Sequence, residues 1–487
     1  MTDSYAINNG TARATNWRWV ICSLLFFATT INYLDRQVLS LTWKDFIAPE
    51  FHWSDADYGR ITGFFSLFYA GVSLFAGRFI DWLGARKGYL WAIFIWSLAA
   101  VMHAGCGWVT MKIEGLDSVE ALTAVKAGSA LALSIASISV WLFLGCRAVL
   151  ALGESGNFPA AIKVTALYFP KKDRAFATAV FNSGASVGAL AAPLCIPVLA
   201  RAFGWEMAFV IIGALGFVWM GFWNFMYARP DESRHVNKAE LAYIQQDEKD
   251  ETEKEIVKEE TKTIPFWKCF CYRQTWAFIV GKAFTDGVWW FFLFWAPAYF
   301  SDQFGYATYT PMGQALIFVL YLIVTVLSIA GGYLPKIFVD RMGMNPYAGR
   351  MRAMLIFAFV PILALFAQPL GVYSAWWPAI IIGLAGAAHQ AWSANLYSTI
   401  GDMFPTSTVA SIVGIGTMAG GIDSYLINQG SGLLFDHAAS LGDAFTFFGF
   451  SGKPAGYMIV FCICAVSYLL AWCVMKLLVP RYKKIEI

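Results

Sequence analysis

Long apolar stretches separated by short polar segments fill the chain from Trp17 to Leu478. Each stretch has roughly 20 residues or more, which is the length that a helix needs to cross a hydrocarbon layer ~30 Å thick. The pattern predicts about twelve such helices. They are expected near residues 17–41, 55–79, 87–110, 139–168, 174–200, 205–228, 275–304, 311–339, 351–368, 375–401, 407–434 and 454–479.

The composition agrees with a protein that crosses a membrane many times. Of the 487 residues, 58% are hydrophobic, 17% are aromatic and only 14% are charged. Such a chain is too apolar to cover its surface in water. We therefore predict an all-α membrane protein whose surroundings are the lipid bilayer.

One long polar stretch, from Arg229 to Lys262, divides the predicted helices six and six. The division predicts an N-terminal tail over 1–16, a six-helix bundle over 17–228, a central loop over 229–273, a second six-helix bundle over 274–479 and a tail over 480–487. Lys and Arg gather in the loops on the side of both termini, and positive loops face the cytoplasm. We expect a multi-pass protein of the cell membrane, in bacteria the inner membrane, with both termini cytoplasmic.

The connection over residues 111–138 falls on the other side of the membrane. It is longer than a connection needs and contains a run of small residues, so we expect room there for an extra helix.

Other classes of function are disfavoured. The net charge is only +3, and the cations form no basic face that could follow a nucleic-acid backbone. The nine cysteines lack the spacing of a disulfide framework or of a metal site. We find no HExxH motif and no nucleophile with its base. We expect no nucleic-acid partner, no metal and no enzymatic activity, and we expect a monomer.

Ionisable residues inside apolar stretches are the strongest functional signal, because a charge at membrane depth costs a few kcal/mol and usually lines a pathway. They are Asp35, Arg36, Arg147, Glu154, Lys282 and Asp286. Lys282 and Asp286 are four positions apart and share a helix face. They are either a substrate cation beside a proton-carrying acid or a structural ion pair that neutralises itself. Arg147 and Glu154 are seven apart, also on one face, and the two turns between them favour an external partner.

Asp35 and Arg36 are adjacent and point about 100° apart around a helix, so each needs a different partner. A guanidinium fork matches a carboxylate, which makes Arg36 and Arg147 candidate anchors for an anionic substrate. Burial favours the protonated form of a carboxyl group, which makes Asp35 and Glu154 candidate proton carriers.

Polar and aromatic residues of the later helices are candidates for holding sugar hydroxyls. Each of them taken singly is also compatible with packing or an interhelical hydrogen bond, and a satisfied core histidine is the favoured reading of His389. We favour Gln390 and Asn395. The whole set is Trp289, Trp290, His389, Gln390, Trp392 and Asn395.

A glycine-acid-glycine-base pattern lies between the second and third predicted helices, with Gly77, Asp81, Gly84 and Arg86 as its members. Glycines let the turn close, and Asp81 can meet a helix N-terminus or a cation. An ordinary positive loop is the alternative to a gate. The pattern resembles the loop signature of the major facilitator superfamily, and Asp340–Gly343 repeats part of it in the second half. The resemblance implies two pseudo-symmetric six-helix bundles around a central cavity.

Further segments resemble the anion:cation symporter family of that superfamily, and most of all its hexuronate transporters. They are Asn32–Arg36, Arg147 with Glu154 and Pro159, Asn182–Gly188, Lys282 with Asp286, and Ala388–Ala391. The resemblance implies import of an organic acid, preferably galacturonate or glucuronate, by proton symport and alternating access, with no cofactor beside the proton. It also implies aromatic substrate contacts at Tyr33 and Tyr69. Lys282 and Trp392 are further candidates for substrate binding, and Asp286 is a candidate for proton coupling.

Alternatives remain at this point. The substrate could be an aldonate, an aldarate or an aromatic carboxylate, or the chain could be a sugar-acid sensor on the same fold that signals through the central loop. Asp423 departs from the family pattern and is either a second proton site or the partner of Lys282. Gly184–Gly188 fits the GxSxG motif of serine hydrolases, but it lies in an apolar helix, where small residues favour close helix contact.

Overall fold

The computed structural model describes residues 14–246, 264–404, 406–483 and 485. The beginning of the predicted N-terminal tail and residues 247–263 of the predicted central loop lie outside the described residues. The bounds of the five predicted regions stay a prediction.

The described residues of the first half form mainly α-helices. Its elements are α1 (Trp17–Thr42), a π-helical turn (Trp43–Ile47), α2 (Ala48–Phe51), α3 (Asp55–His103), α4 (Cys106–Glu114), α5 (Glu120–Ala124), α6 (Ala130–Glu154), α7 (Asn157–Tyr168), α8 (Lys171–Phe203), α9 (Trp205–Met226) and the short α10 (Lys238–Ile244) of the linker.

The second half repeats this architecture and adds one small hairpin. Its elements are a 3₁₀ helix (Phe266–Cys271), α11 (Arg273–Ala283), α12 (Asp286–Phe304), α13 (Pro311–Met342), α14 (Pro346–Phe359), a 3₁₀ helix (Val360–Phe366), α15 (Ala367–Gly371), α16 (Trp376–Met403), α17 (Thr406–Leu441), a 3₁₀ turn (Gly442–Ala444), β1 (Thr446–Phe447), β2 (Phe450–Ser451) and α18 (Lys453–Leu478). In the hairpin Thr446 pairs with Ser451 and Phe447 with Phe450.

The helical segments correspond to the twelve predicted ones. Within the described residues, eight segments are long and apolar enough to cross a membrane. One of them, α3, holds two predicted helices, because Gly84 at φ 77° breaks it. The more polar helices α1, α16 and α17 account for the remaining three.

The connection over residues 111–138 holds the short extra helix α5 (Glu120–Ala124), for which we expected room. Gly115 at φ 69° ends α4, a single short turn of helix follows, and α6 then begins at Ala130, nine residues before the predicted start. The side chain of Ser129 accepts a hydrogen bond from the Ala132 N–H and caps this helix. A good N-cap therefore decides the boundary, where apolar content alone placed it later.

The small residues of Gly184–Gly188 bring α8 against α1. A Cβ atom at Gly188 would lie 2.6 Å from the carbonyl oxygen of Thr30, and one at Gly184 would clash with the carbonyl of Phe26. The hydrolase interpretation is excluded by this helical setting, and the expected close helix contact is present.

The two halves meet along α3 and α17. We call the end of the molecule that holds residues 14–17, the linker over 229–246 and residues 479–483 the terminal face, and the other end the opposite face. At the opposite face Asp436 of α17 accepts hydrogen bonds, each 2.9 Å long, from the N–H groups of Asp55 and Ala56. Its carboxylate thus caps the N-terminus of α3 from the other half of the protein.

Four alternating charges join the halves at the same face, and we call them the lysine–aspartate network. Lys44 and Asp55 come from the first half, and Asp302 and Lys453 come from the second. The Lys44 Nζ atom lies 3.3 Å from Asp55 and 2.9 Å from Asp302. Lys453 lies 2.5 Å from Asp55 and also pairs with Asp302. The opposite face is therefore closed in this conformation.

Candidate substrate site between the two halves

The centre of the candidate site is an ion pair between α1 and α6. Arg36 donates from Nε and Nη2 to the Oε2 atom of Glu154, at 2.9 and 2.7 Å. Arg36 is only 4% exposed and Glu154 only 1%. The acid thus occupies a guanidinium edge that could otherwise hold the carboxylate of a substrate.

Arg147 is in a different state. It is buried, its guanidinium carbon lies 5.2 Å from the ring centre of Phe65, and its Nε and Nη1 atoms have no hydrogen-bond partner in the described part of the chain. Both carboxylate oxygens of the equally buried Asp35 are also without such a partner. Asp35 is within electrostatic range of Arg147 and Glu154. Polar atoms that are buried without a hydrogen-bond partner cost free energy. Their presence here indicates a position that a ligand occupies during function.

The expectations about these four residues agree with the geometry. Glu154 does not pair with Arg147 two turns away on its own helix but with Arg36 across the helix interface, as the expected external partner. The neighbours Asp35 and Arg36 do not share a partner. The site roles themselves stay predictions.

Aromatic rings surround the Arg36 guanidinium. Its carbon lies 5.3 Å from the ring of Tyr33, 4.7 Å from that of Tyr69 and 5.3 Å from that of Trp290. Tyr33 and Tyr69, which the resemblance proposed, therefore lie beside the predicted anchor. Trp290 belongs to α12 in the second half, so the site is built from both halves.

Lys282 and Asp286 form a second buried ion pair in the second half, with Nζ 2.6 Å from Oδ2. The Lys282 ammonium also lies 5.0 Å from the ring centre of Tyr397. Of the two alternatives left by the sequence, the self-neutralising pair is the arrangement in this conformation. The idea that Asp423 is the partner of Lys282 is wrong, because its Oδ2 accepts instead from the Gly287 N–H at 2.6 Å.

The candidate hydroxyl-binding residues on α16 divide into two groups. Asn395 donates to the carbonyl of Ala391 in its own helix at 2.8 Å, and His389 Nδ1 lies 2.8 Å from the Tyr468 hydroxyl, which is the satisfied histidine that we expected. Gln390 is partly exposed, and the Nε1 atom of Trp392 is buried without a partner in the described structure. Gln390 and Trp392 are thus the better placed for a ligand.

Two polar residues of α1 complete the site. Gln37 was not singled out in the sequence, and Asn32 was named there only as part of a segment that resembles the symporter family. Gln37 and Asn32 are each 1% exposed, and their amide atoms have no partner within the described ranges. Gln37 is four positions after Tyr33 and shares its helix face. The available signal was an uncharged amide within an apolar span, which is weaker than a charge.

The residues of the glycine-acid-glycine-base pattern lie on the terminal face within the first half. Asp81 accepts a hydrogen bond from Lys163 of α7 at 2.8 Å, and Arg86 donates to the carbonyl of Asn224 at 3.0 Å. Asp81 thus meets a cation, as expected, while Gly77 and Gly84 belong to the end of the first α3 segment and its turn. The gating role stays a prediction.

The described residues lack the arrangement that a metal site needs. Among residues 14–246, 264–404, 406–483 and 485, no group of three or more His, Cys, Asp or Glu side chains is arranged to hold a metal ion.

Two six-helix halves around buried, oppositely charged side chains define a membrane transporter, and comparison with known families agrees. Residues 25–422 match the model of the Major Facilitator Superfamily, so the chain belongs to that family. It is a multi-pass membrane transporter and not an enzyme. The all-α fold in two bundles is confirmed by solved structures.

The similar proteins of known name are transporters of sugar acids. The chain is 26% identical to the hexuronate transporter of Escherichia coli K12 over 423 residues, which cover 86% of this chain and 88% of the relative. It is 25% identical to the galacturonate transporter of Dickeya chrysanthemi, over 72% of this chain and 92% of the relative. It is 27% identical to a probable galactarate/D-glucarate transporter of E. coli K12, over 67% and 68%. The resemblance to hexuronate transporters is thus confirmed.

Solved structures support the fold. A bacterial homologue of the human lysosomal transporter Spinster, in an inward-facing and occupied conformation, has a TM-score of 0.65 at 19% identity over 95% of this chain and 97% of the other. The D-xylose-proton symporter has a TM-score of 0.63 at 15% identity over 94% and 98%.

Proposed function

We propose that this transporter imports a sugar acid, preferably a hexuronate such as galacturonate or glucuronate, together with protons. The names of its relatives support this substrate class. We place the protein as a monomer in the cell membrane, in bacteria the inner membrane, with the terminal face in the cytoplasm. The Lys and Arg residues of the loops on that face support this orientation.

The observation that carries the proposal is the unequal state of the two arginines. Arg36 is held by Glu154, whereas two donor atoms of Arg147 have no partner in the described structure. In our proposal the carboxylate of the substrate enters beside Arg147 first, because that guanidinium has donors to offer. It then competes with Glu154 for Arg36.

Protonation of Glu154 decides that competition. An ionised Glu154 is the stronger acceptor for Arg36 and excludes the substrate from it, whereas a neutral carboxyl group releases the guanidinium. Binding of a proton and of the substrate are then mutually favourable, and by thermodynamic reciprocity each raises the affinity for the other by the same factor. Asp35, which has no hydrogen-bond partner in the described chain, takes up a further proton beside Arg147.

Contacts that lie between the halves support alternating access. The lysine–aspartate network closes the opposite face, and Trp290 of the second half lies against Arg36 of the first. When the charges of the site are neutralised by substrate and protons, the halves can rock past each other, because no uncompensated charge then has to be moved through an apolar interface.

The energy available is sufficient for accumulation. Each proton contributes ~1.4 kcal/mol per pH unit, and each net positive charge that moves inward contributes ~2.3 kcal/mol per 100 mV. A monoanion with one proton is electroneutral, and with more protons its uptake also depends on the membrane potential.

The test is uptake of radiolabelled galacturonate into proteoliposomes with an imposed pH gradient, acidic outside. We expect accumulation above the external concentration, inhibition by glucuronate, and loss of accumulation when an uncoupler removes the gradient. Competition by galactonate, glucarate or an aromatic acid that is stronger than competition by glucuronate would favour those classes instead.

A sensor is a second candidate, and one observation favours it. Glu240 of the linker accepts hydrogen bonds from the backbone N–H groups of Trp17 and Arg18, both 3.1 Å long, so the linker contacts the start of the helix that carries Arg36. Saturable binding of the sugar acid without any flux in proteoliposomes would support this candidate and contradict import.

A further inference from the structure

We propose that Asp286 and Asp423 together form a second proton-binding site, at the break between α11 and α12, through which an additional proton is coupled to transport. The inference rests on the proposed proton symport but concerns the second half of the protein. Asp423 has no role in the site around Arg36 and Arg147, and its function is otherwise unexplained.

The break in the seventh transmembrane segment positions both carboxylates. Asp286 is the first residue of α12, and its Oδ2 atom lies 2.6 Å from the ammonium of Lys282. Its Oδ1 atom is buried without a hydrogen-bond partner in the described residues. Asp423 reaches over from α17, and its Oδ2 atom accepts from the N–H of Gly287, the second residue of α12.

Glycines bring the two acids close together. A Cβ atom at Gly287 would lie 2.6 Å from Oδ2 of Asp423, and one at Gly420 would clash with the carboxylate of Asp286. Gly420 is three residues before Asp423 in α17, which is less than one helical turn. Asp286 therefore packs against the same turn of α17 that carries Asp423.

The charges of this cluster do not balance when both acids are ionised. Lys282 supplies one positive charge against two negative ones. Among the described residues, further ionisable groups face the cluster from two helices: Tyr397 and His389 from α16, and Cys464 and Tyr468 from α18. His389 stacks on Trp289 and its Nδ1 atom is engaged by Tyr468. A buried net charge is unfavourable by several kcal/mol, and one shared proton removes it.

A proton suits the cluster better than a metal cation. The Gly287 N–H and the Lys282 ammonium both direct positive charge at the carboxylates. A metal cation would be repelled by these donors and would need several more oxygen ligands. A proton on the free oxygen of either acid requires neither group to move.

The position of the cluster connects it to the movement of the halves. Ser424, next to Asp423, donates to the hydroxyl of Ser66 in α3 at 2.9 Å, and Gly421 packs against Ala70 of the same helix. α17 and α3 belong to different halves. The carboxylate of Asp423 contacts α12 of its own half, and its residue is next to the interface that must slide during transport.

The experiment measures how many protons accompany one galacturonate. In proteoliposomes the accumulation ratio at zero membrane potential rises about tenfold per pH unit for each coupled proton. We expect the Asp423→Asn variant to show a slope of one proton fewer than the unaltered protein and to lose dependence on the membrane potential to the same extent. The asparagine oxygen can still accept from Gly287, so the helix cap is kept. Asp443→Asn, in an exposed turn, is the matched control.

The outcomes separate this inference from the proposed function. If Asp423→Asn keeps the full slope and potential dependence, the second site is refuted while proton symport stands. The unaltered protein supplies a measurement that does not depend on the folding of any variant: an electroneutral uptake of monoanionic galacturonate would equally refute the site. Absence of any proton-driven uptake in the unaltered protein would overturn both proposals.

Discussion

Replacing Glu154 with Gln tests the competition between this acid and the substrate for Arg36. The variant keeps the size of the side chain and removes its charge, so it imitates the protonated state. Because Glu154 now accepts two hydrogen bonds from Arg36, at 2.9 and 2.7 Å, the substrate has to displace a charged acceptor in the unaltered protein. In the variant it has to displace only a neutral one.

The size of the effect can be worked from these contacts. A hydrogen bond between charged groups contributes about 1.5–3 kcal/mol, and 1.4 kcal/mol corresponds to a tenfold change in Kd. We expect the Glu154→Gln variant to bind galacturonate about tenfold or more tightly than the unaltered protein at a pH where Glu154 is ionised. The pH dependence of the affinity should be reduced by the share of one proton, because Glu154 no longer binds a proton while Asp35 and the Asp286–Asp423 site still do.

The assay is equilibrium binding of labelled galacturonate to the purified protein between pH 5.5 and 8.5, followed by transport in proteoliposomes. Exchange of internal for external substrate should persist in the variant, whereas accumulation driven by a pH gradient should fall by about tenfold per pH unit, which is the contribution of one proton. Removing one partner of a buried ion pair also destabilises a protein by about 3–5 kcal/mol. We therefore expect a lower Tm without substrate and a larger rise in Tm when substrate is added.

Glu232→Gln is the control, because it makes the same substitution at an exposed position of the linker and should change neither quantity. The reasoning is refuted if Glu154→Gln binds galacturonate more weakly than the unaltered protein, or if its affinity keeps the original dependence on pH.

Further predictions concern the second arginine, the closed face and one acid outside the membrane spans. Arg147→Ala should lower the affinity for galacturonate by at least about tenfold, and unchanged binding would remove Arg147 from the site. Combining Lys44→Ala with Lys453→Ala should favour opening of the opposite face, because the two aspartates then repel each other. Tyr58 is fully buried in α3, three residues after Asp55. A cysteine introduced as Tyr58→Cys should react faster with an impermeant reagent in that background, and an unchanged rate would contradict the role of the network. Burial raises the pKa of the Glu50 carboxyl to about 7, so the folded state holds this proton more tightly than the unfolded state. The contribution of Glu50 to stability should therefore be present in full below its unfolded pKa and fall by up to ~1.4 kcal/mol per unit as pH rises through the window between the two pKa values. Glu50→Gln should flatten this decline in Tm, and an equally steep decline would contradict the assignment.

The proximity of Lys282 and Asp286 could be predicted from the sequence, whereas their pairing was one of two alternatives. Their four-residue spacing places them on one face of a helix whatever the rest of the fold does. The same argument limits what was possible for Arg147 and Glu154. Their seven-residue spacing excluded a good direct contact, but it did not identify the partner.

Boundaries were less predictable where apolar content and capping disagree. The small residues over 130–138 were predicted to lie in a connection. The N-cap formed by Ser129 instead starts α6 at Ala130. Likewise, the position of Gly84 in the sequence indicated a turn, while its left-handed backbone, and hence the division of α3, is a property of the folded chain.

The amino-acid sequence by itself determined that this protein lies in a membrane, has about twelve helices in two halves, and carries charges that its surroundings must compensate, because hydrophobic length and helical periodicity are local properties. The tertiary structure alone decided which charges meet: Arg36 with Glu154, 118 residues apart, Asp423 with the start of α12, and two lysines with two aspartates between the halves. These contacts depend on how distant helices pack, and a buried charge accepts whichever opposite partner the packing brings within reach.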